Sequence, residues 1–278
     1  MKNGLAIWHY PHRTVIDNVS YFADCGFDSV SINGGHMRKV FGEESPEKLA
    51  QLITEKNLIL TVHHTLPYDH SDEMVEDFKD FIEKISLWQK KYGLISVLSF
   101  DVPQDIRDNI TPYIDFVIGM VENSKIAVED FGLNECEKKQ IEHLKNNDRF
   151  GYLIDIGHMY MRICGKNKSG YTLFSNSPEE CSANENPLEE DFLRALRSKE
   201  FPVFEIHLHN NDGEEDLHYF LEDGTLNVEI IANVLKEIGF DGILTIESAP
   251  GYRFDCRYPE SDKRINETFA YWKKLCGL

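Results

Sequence analysis

Short apolar runs and longer amphipathic stretches take turns along the 278-residue chain. The short runs are GLAIWHY (4–10), FDSVSING (27–34), LILTVHH (58–64), LISVLSF (94–100), KIAVED (125–130), GYLIDIG (151–157), VFEIHLH (203–209) and GILTIES (242–248). Between them the period changes. In SDEMVEDFKDFIEKISLWQKKYG, the residues Met74, Val75, Phe78, Phe81, Ile82, Ile85 and Trp88 recur at steps of three and four, with Ser71 as a cap and Gly93 as a stop. Ile230, Ile231, Val234, Leu235 and Ile238 form a similar stripe between Asn227 and Gly239. This alternation marks repeated βα units rather than hairpins or helical bundles. Eight strands with intervening helices predict an α/β fold, a (β/α)8 TIM barrel, as one domain over residues 1–278. A doubly wound sheet would show fewer strands and a glycine-rich phosphate loop, and the chain has neither G-x-G-x-x-G nor a Walker-type loop.

The pattern breaks between His158 and Phe201, where GKNKSGYTLFSNSPEECSANENP is polar and aperiodic. A loop this long in a compact domain is usually functional or disordered. It follows the sixth strand, at the catalytic end of a barrel, so residues 159–200 are read as a candidate lid insertion, with disorder as the alternative.

Composition narrows the function classes. A chain 41% hydrophobic has material for a substantial core. Cys25, Cys136, Cys164, Cys181, Cys256 and Cys276 are scattered, with no C-x-x-C pair, so reduced thiols are expected rather than a disulfide framework or zinc ribbon. No apolar stretch approaches the roughly 18 residues of a membrane span, and the amino terminus lacks the zones of a signal peptide. The expectation is a cytoplasmic protein without a membrane partner. A formal charge of −19 repels phosphate backbones and no Lys/Arg stripe offsets it, so no nucleic acid is expected as partner.

Strand parity then locates the chemistry. If Phe204, Ile206 and Leu208 face the helices, Glu205, His207 and His209 face inward. By the same rule Glu129, Asp155 and Glu247 face inward from KIAVED, GYLIDIG and GILTIES. Four strands thus bring Glu129, Asp155, His207 and Glu247 to the end where barrel enzymes build their sites. Three carboxylates gathered in a low-dielectric mouth repel one another, and a divalent cation resolves the conflict. Two or three oxygens with one imidazole nitrogen suit Mn²⁺, Zn²⁺ or Co²⁺ and, less well, Mg²⁺.

The order of V-E at 128–129, D-x-x-H at Asp155–His158, H-L-x-N at His207–Asn210, D-x-H at Asp216–His218 and I-E at 246–247 resembles the xylose-isomerase-like TIM barrels. That superfamily includes sugar phosphate isomerases and epimerases and the apurinic-site endonucleases. The tail GTLNVEIIANVLKEIGFDGILTIES is similar to the family's last βα unit. The resemblance implies that Glu129, Asp155, His207 and Glu247 bind the catalytic metal, with His158 near the substrate or a second metal. In the multi-metal endonuclease branch, Asp216 and His218 would join His158 around a further zinc. His63, with His64 as rival, and Asp101 stand where that branch has another pair of ligands. Asp101 departs from the family's usual histidine, which weakens a trinuclear assignment, and Asn210 departs from its usual aspartate.

The function expected is metal-dependent isomerisation or epimerisation of a small ketose, polyol or keto-acid, or a lyase or dehydratase reaction of the same superfamily. Glu129 and Glu247 would pass a proton to and from the reacting carbon. His158, and Arg253 in the loop APGYRFD, would orient substrate oxygens. His9 and His12 in WHYPHR, His36 in NGGHMR, His64 and His209 are candidates to line the mouth or reach substrate. Trp8, Tyr10 and Phe100 would stack on a sugar face or pack in the core. The alternatives are a phosphodiesterase acting at abasic DNA and a ligand-binding barrel that has lost catalysis. A homo-oligomer is left open.

Overall fold

Eight parallel strands close on themselves in chain order: β1 (Lys2–Ala6), β2 (Ser29–Asn33), β3 (Ile59–Thr65), β4 (Ile95–Asp101), β5 (Lys125–Glu129), β6 (Phe150–Asp155), β7 (Val203–Leu208) and β8 (Ile243–Ile246). The helices around them are α1 (Val15–Asp24), α2 (Gly34–Gly42), α3 (Pro46–Glu55), α4 (Asp72–Tyr92), α5 (Thr111–Met120), α6 (Glu135–Ile141), α7 (Ile156–Ile163), α8 (Val228–Ile238) and α9 (Glu260–Cys276). This computed structural model describes residues 1–10, 12–132, 134–164, 192–193, 196–197, 200–249 and 260–278. The expected (β/α)8 barrel is present with all eight strands.

The longest helix shows why the sequence folds this way. The Ser71 side chain accepts the Met74 N–H, Asp72 and Glu73 occupy the first turn, and Lys90 and Lys91 the last, so both ends of the α4 dipole are matched. Gly93 ends it at φ +66°, a conformation open to glycine at little cost. Phe78, Phe81, Ile82, Ile85 and Trp88 are buried, each stabilising by about 1.5–3 kcal/mol.

Inside the barrel, Val97, Ala127, Leu153 and Ile243 form a small apolar plug, separate from the large core between strands and helices. Beside it lies a polar group in which Thr61 and Thr245 both donate to Glu205. Strands β6 and β7 pair out of step here: Tyr152 stands opposite Val203, but Leu153 stands opposite Glu205. Skipping Phe204 restores matching parity and leaves Asp155 opposite His207, both buried at the inner face.

Several strand ends differ from the sequence reading. The first strand stops at Ala6 and Ile7–His9 form a short 3-10 turn. Ile156 and Gly157 open α7 because the Asp155 side chain caps it. NGGHMR opens α2, capped by Asn33. The expected lid begins inside α7, which continues to Ile163, while residues 165–191 lie outside the described residues. Among the described residues Cys25, Cys136, Cys164 and Cys276 are free thiols, and no helix is long and apolar enough to cross a membrane.

Candidate metal centre and substrate cavity

The four residues that parity turned inward converge. Glu129 ends β5, Asp155 ends β6, His207 lies in β7 and Glu247 follows β8, all buried. His207 Nδ1 is 2.9 Å from Glu247 Oε2 and 3.9 Å from Glu129 Oε2. Asp155, His207 and Glu247 offer ligand atoms within 4.8 Å of one another, as do His63, Glu129 and His207. Asp155 divides its two oxygens: Oδ1 accepts the His158 N–H at 2.7 Å as the α7 cap, and Oδ2 has no hydrogen-bond partner among the described residues.

These residues fit a divalent cation. His207 lies close to three carboxylates, yet neither of its ring nitrogens makes a hydrogen bond among the described residues. Buried polar groups are ordinarily satisfied, so close approach without hydrogen-bond alignment marks groups disposed around a shared ion rather than toward each other.

A second cluster adjoins the first. His158 Nε2 is 3.5 Å from Asp216 Oδ2, His209 Nε2 is 3.4 Å from Asp216 Oδ1, and His218 Nε2 is 3.2 Å from Asp216 Oδ1. His209 also lies 3.3 Å from Asp155 Oδ1 and stacks on His218 at 4.0 Å, which joins the two clusters. His63 Nε2 stands 3.3 Å from Asp101 Oδ1 and 3.6 Å from Glu129 Oε2, so His63 rather than His64 reaches the centre from β3.

Without metal, the imidazoles and carboxylates set each other's charge. Burial, then the Asp101 carboxylate, pushes Glu129 up to about 8. Burial opposes ionisation of Glu247 too, but the facing His207 and His218 rings outweigh it and hold the carboxyl at about 2. Burial disfavours the His63 and His218 cations, yet adjacent carboxylates raise them to about 9 and about 10. His158 and His207 are raised in the same way, and Asp155 is held below the carboxylate range by His158 and His209 despite its burial.

Above this floor opens a cavity of about 580 Å³. It is lined by the polar His63, Asp101, Glu129, His158, Asp216, His218 and Glu247 and by the apolar Trp8, Leu66, Pro67, Tyr68, Met74 and Phe78. Trp8 stacks on His63 at 5.8 Å. His64 lines the cavity but packs on Phe81 at 4.2 Å, and burial, then Arg38, lowers it to about 4. His36 does not reach the cavity: its backbone N–H and Nδ1 both meet Asn33 Oδ1. His12 sits beside Arg13 and Asp262, while Tyr10 and Phe100 are wholly buried in the core. The His9 side chain and Arg253 lie outside the described residues.

Sequence reasoning missed Asp130. Its φ of +48° turns the side chain so that Oδ2 meets His158 Nδ1 at 2.8 Å and Arg162 Nη1 at 3.0 Å. This leaves His158 Nε2 toward the cavity side. The signal was the V-E-D triplet itself, a second carboxylate directly behind a predicted ligand.

A closed eight-stranded barrel with such a floor at its carboxyl end defines a class, and residues 19–275 match the xylose isomerase-like TIM barrel family. The chain belongs to that family. Among solved structures, a D-tagatose 3-epimerase-like protein is similar over 100% of this chain and 98% of its own, at 18% identity and a TM-score of 0.70. D-Psicose 3-epimerase from Clostridium cellulolyticum H10, solved with D-tagatose, is similar over 99% of both chains, at 11% identity and a TM-score of 0.66. The IolI protein, solved with a zinc atom, is similar over 99% of both chains, at 16% identity and a TM-score of 0.65. An uncharacterized protein of Methanocaldococcus jannaschii is 35% identical over 165 residues, 56% of this chain and 48% of that protein, so the match spans about half the length of this curated relative.

Proposed function

We propose that the protein is a divalent-metal-dependent isomerase or epimerase of a small ketose, polyol or keto-acid. The observation that carries this reading is the convergence of Glu129, Asp155, His207 and Glu247 from four strands on one buried cluster, of which Glu129 and Glu247 line the cavity. The D-psicose 3-epimerase structure and the zinc atom in the IolI structure support it through the shared fold. These four residues would hold the ion, and a set of carboxylates with one imidazole favours Mn²⁺, Zn²⁺ or Co²⁺ over Mg²⁺. The ion, when bound, supplies a Lewis acid that polarises a substrate carbonyl and acidifies the neighbouring C–H.

The remaining work falls to side chains. Glu129 and Glu247 come from β5 and the end of β8, and both line the cavity. One removes the proton from the carbon beside the carbonyl and the other returns it, on the opposite face for an epimerisation. His158, fixed at Nδ1 by Asp130, turns Nε2 to a substrate oxygen. Trp8 and the apolar lining cover the non-reacting side of the substrate and exclude water.

The test combines elemental analysis with solvent-deuterium incorporation over a panel of ketoses, polyols and keto-acids. Bound divalent metal and exchange into one panel member are expected, and Glu247→Gln should lose both. Unchanged metal content and exchange in that variant would sink the reading.

A second reading, metal-dependent phosphodiester hydrolysis, is favoured by one observation: His158, His209, Asp216 and His218 form a further ligand-type cluster beside the first. About three metals per chain with nicking of abasic DNA would establish it. The charge of −19 weighs against that substrate.

A further inference from the structure

The barrel interior holds a carboxylate that the proposed chemistry does not use. Glu205 faces inward one alternation before His207 on β7 and is wholly buried. Its Oε1 accepts the Thr245 hydroxyl at 2.6 Å and the Thr61 hydroxyl at 3.0 Å, so donors from β8 and from β3, across the barrel, fix one oxygen. That same oxygen lies 3.6 Å from His207 Nε2, the one basic nitrogen within 4.0 Å of Glu205 among the described residues. The other His207 nitrogen, Nδ1, faces Glu247 and Glu129.

A buried carboxyl group is costly unless donors meet it, and the two hydroxyls reach only Oε1, leaving Oε2 without a hydrogen-bond partner among the described residues. The His207 ring is therefore bracketed, with Glu205 against Nε2 and the candidate ion site against Nδ1. We infer that Glu205 is a positioning residue for the metal centre: at 3.6 Å it stands just short of a hydrogen bond to His207 Nε2, and with the ion bound it accepts the Nε2–H, fixes the tautomer, and directs the Nδ1 lone pair to the ion. Thr61 and Thr245 hold the carboxylate in place for this. A ligating histidine whose second nitrogen meets a carboxylate is a more basic and better oriented ligand. The inference rests on the metal reading above, in the one respect that His207 ligates through Nδ1.

The experiment uses full-length protein loaded with Zn²⁺. Zinc affinity is measured by competition with a chromophoric chelator, and the His207 Nε2–H is observed by NMR of ¹⁵N-histidine-labelled protein. Glu205→Gln keeps the shape and replaces the carboxyl with an amide. The expected result is a roughly 10–100-fold weaker zinc affinity and a shifted, faster-exchanging Nε2–H, with the far-UV spectrum unchanged. Wild-type affinity together with an unshifted Nε2–H in Glu205→Gln overturns the inference and leaves the metal reading standing. Failure of the wild-type protein to bind any of Zn²⁺, Mn²⁺ and Co²⁺ overturns both. Should Glu205→Gln not fold, Thr61→Val with Thr245→Val decides: a several-fold weaker affinity supports the inference, and unchanged affinity with an unshifted resonance refutes it.

Discussion

Gly157 lies in the first turn of α7, and a Cβ built there would come within 2.6 Å of three atoms of the His209 ring. Carbon atoms in contact stand about 3.5–4.0 Å apart, so in Gly157→Ala, where the nearest ring atom would lie at 2.0 Å, the ring must retreat by roughly 1.5 Å or more. It has little room. His209 is wholly buried, stacked on His218 at 4.0 Å and set between Asp155 and Asp216 at 3.3 and 3.4 Å. Overpacking of this kind costs about 1–3 kcal/mol. For a chain of this size each kcal/mol is worth roughly 2–4 °C, so Tm should fall by about 2–12 °C in metal-free protein. Because His209 presses on Asp155, metal affinity should fall as well. Calorimetry of metal-depleted protein measures the first effect and chelator competition the second. Gly119, inside α5 with nothing within 4 Å of an added Cβ, is the control, and Gly119→Ala should be neutral or stabilising by up to about 1 kcal/mol. Gly157→Ala with the Tm and metal affinity of the wild type would refute the packing argument.

Three further outcomes are expected. Adding Mn²⁺ or Zn²⁺ at about 100 times its Kd to metal-depleted protein should stabilise it by about 2.7 kcal/mol, seen as a rise in Tm, and Asp155→Asn should abolish most of that rise. The metal-free protein should lose stability in alkali: His63 and His218 are raised from 6.5 to about 9 and about 10, so their contribution is fully present below pH 6.5 and is lost as pH rises through 9 to 10. Each such group that titrates contributes roughly 1.4 kcal/mol per pH unit, and urea melts at pH 7 and pH 10 that coincide would contradict the assignment. His158→Ala should keep the metal held by Glu129, Asp155, His207 and Glu247 but reduce solvent-proton exchange by about 10²–10⁴-fold, and exchange at the wild-type rate would remove His158 from the reaction.

The barrel and its floor were legible in the sequence because both depend on parity. Once Ile206 and Leu208 are assigned to the helix side, His207 has only one direction to face, and the same argument holds for Glu129, Asp155 and Glu247; Phe204, expected on the helix side with them, instead packs against the inner plug of Val97, Ala127, Leu153 and Ile243, because the ladder skips it. Residues just past a strand end escape that rule. His36 follows β2 by three positions, where the Asn33 cap starts α2 and draws the imidazole onto its own carbonyl oxygen. Asp130 follows Glu129, and its positive φ turns it onto His158 and Arg162. Neither outcome follows from hydrophobic period; both follow from local capping and backbone conformation.

The register between β6 and β7 lies deeper still. Continued without interruption from Tyr152 opposite Val203, the ladder would set Asp155 against Ile206, an outward residue, and the floor would lose either its carboxylate or its imidazole. The skipped Phe204 prevents that. Phe204 is only half-buried, and the backbone irregularity beside it occurs where Gly151 has the Pro202 carbonyl and the Phe204 ring so close that a Cβ would collide with both. A side chain at position 151 would therefore push β6 and β7 apart at the point that sets Asp155 level with His207. The geometry of the candidate centre thus depends on a glycine at the opposite end of the strand from any ligand.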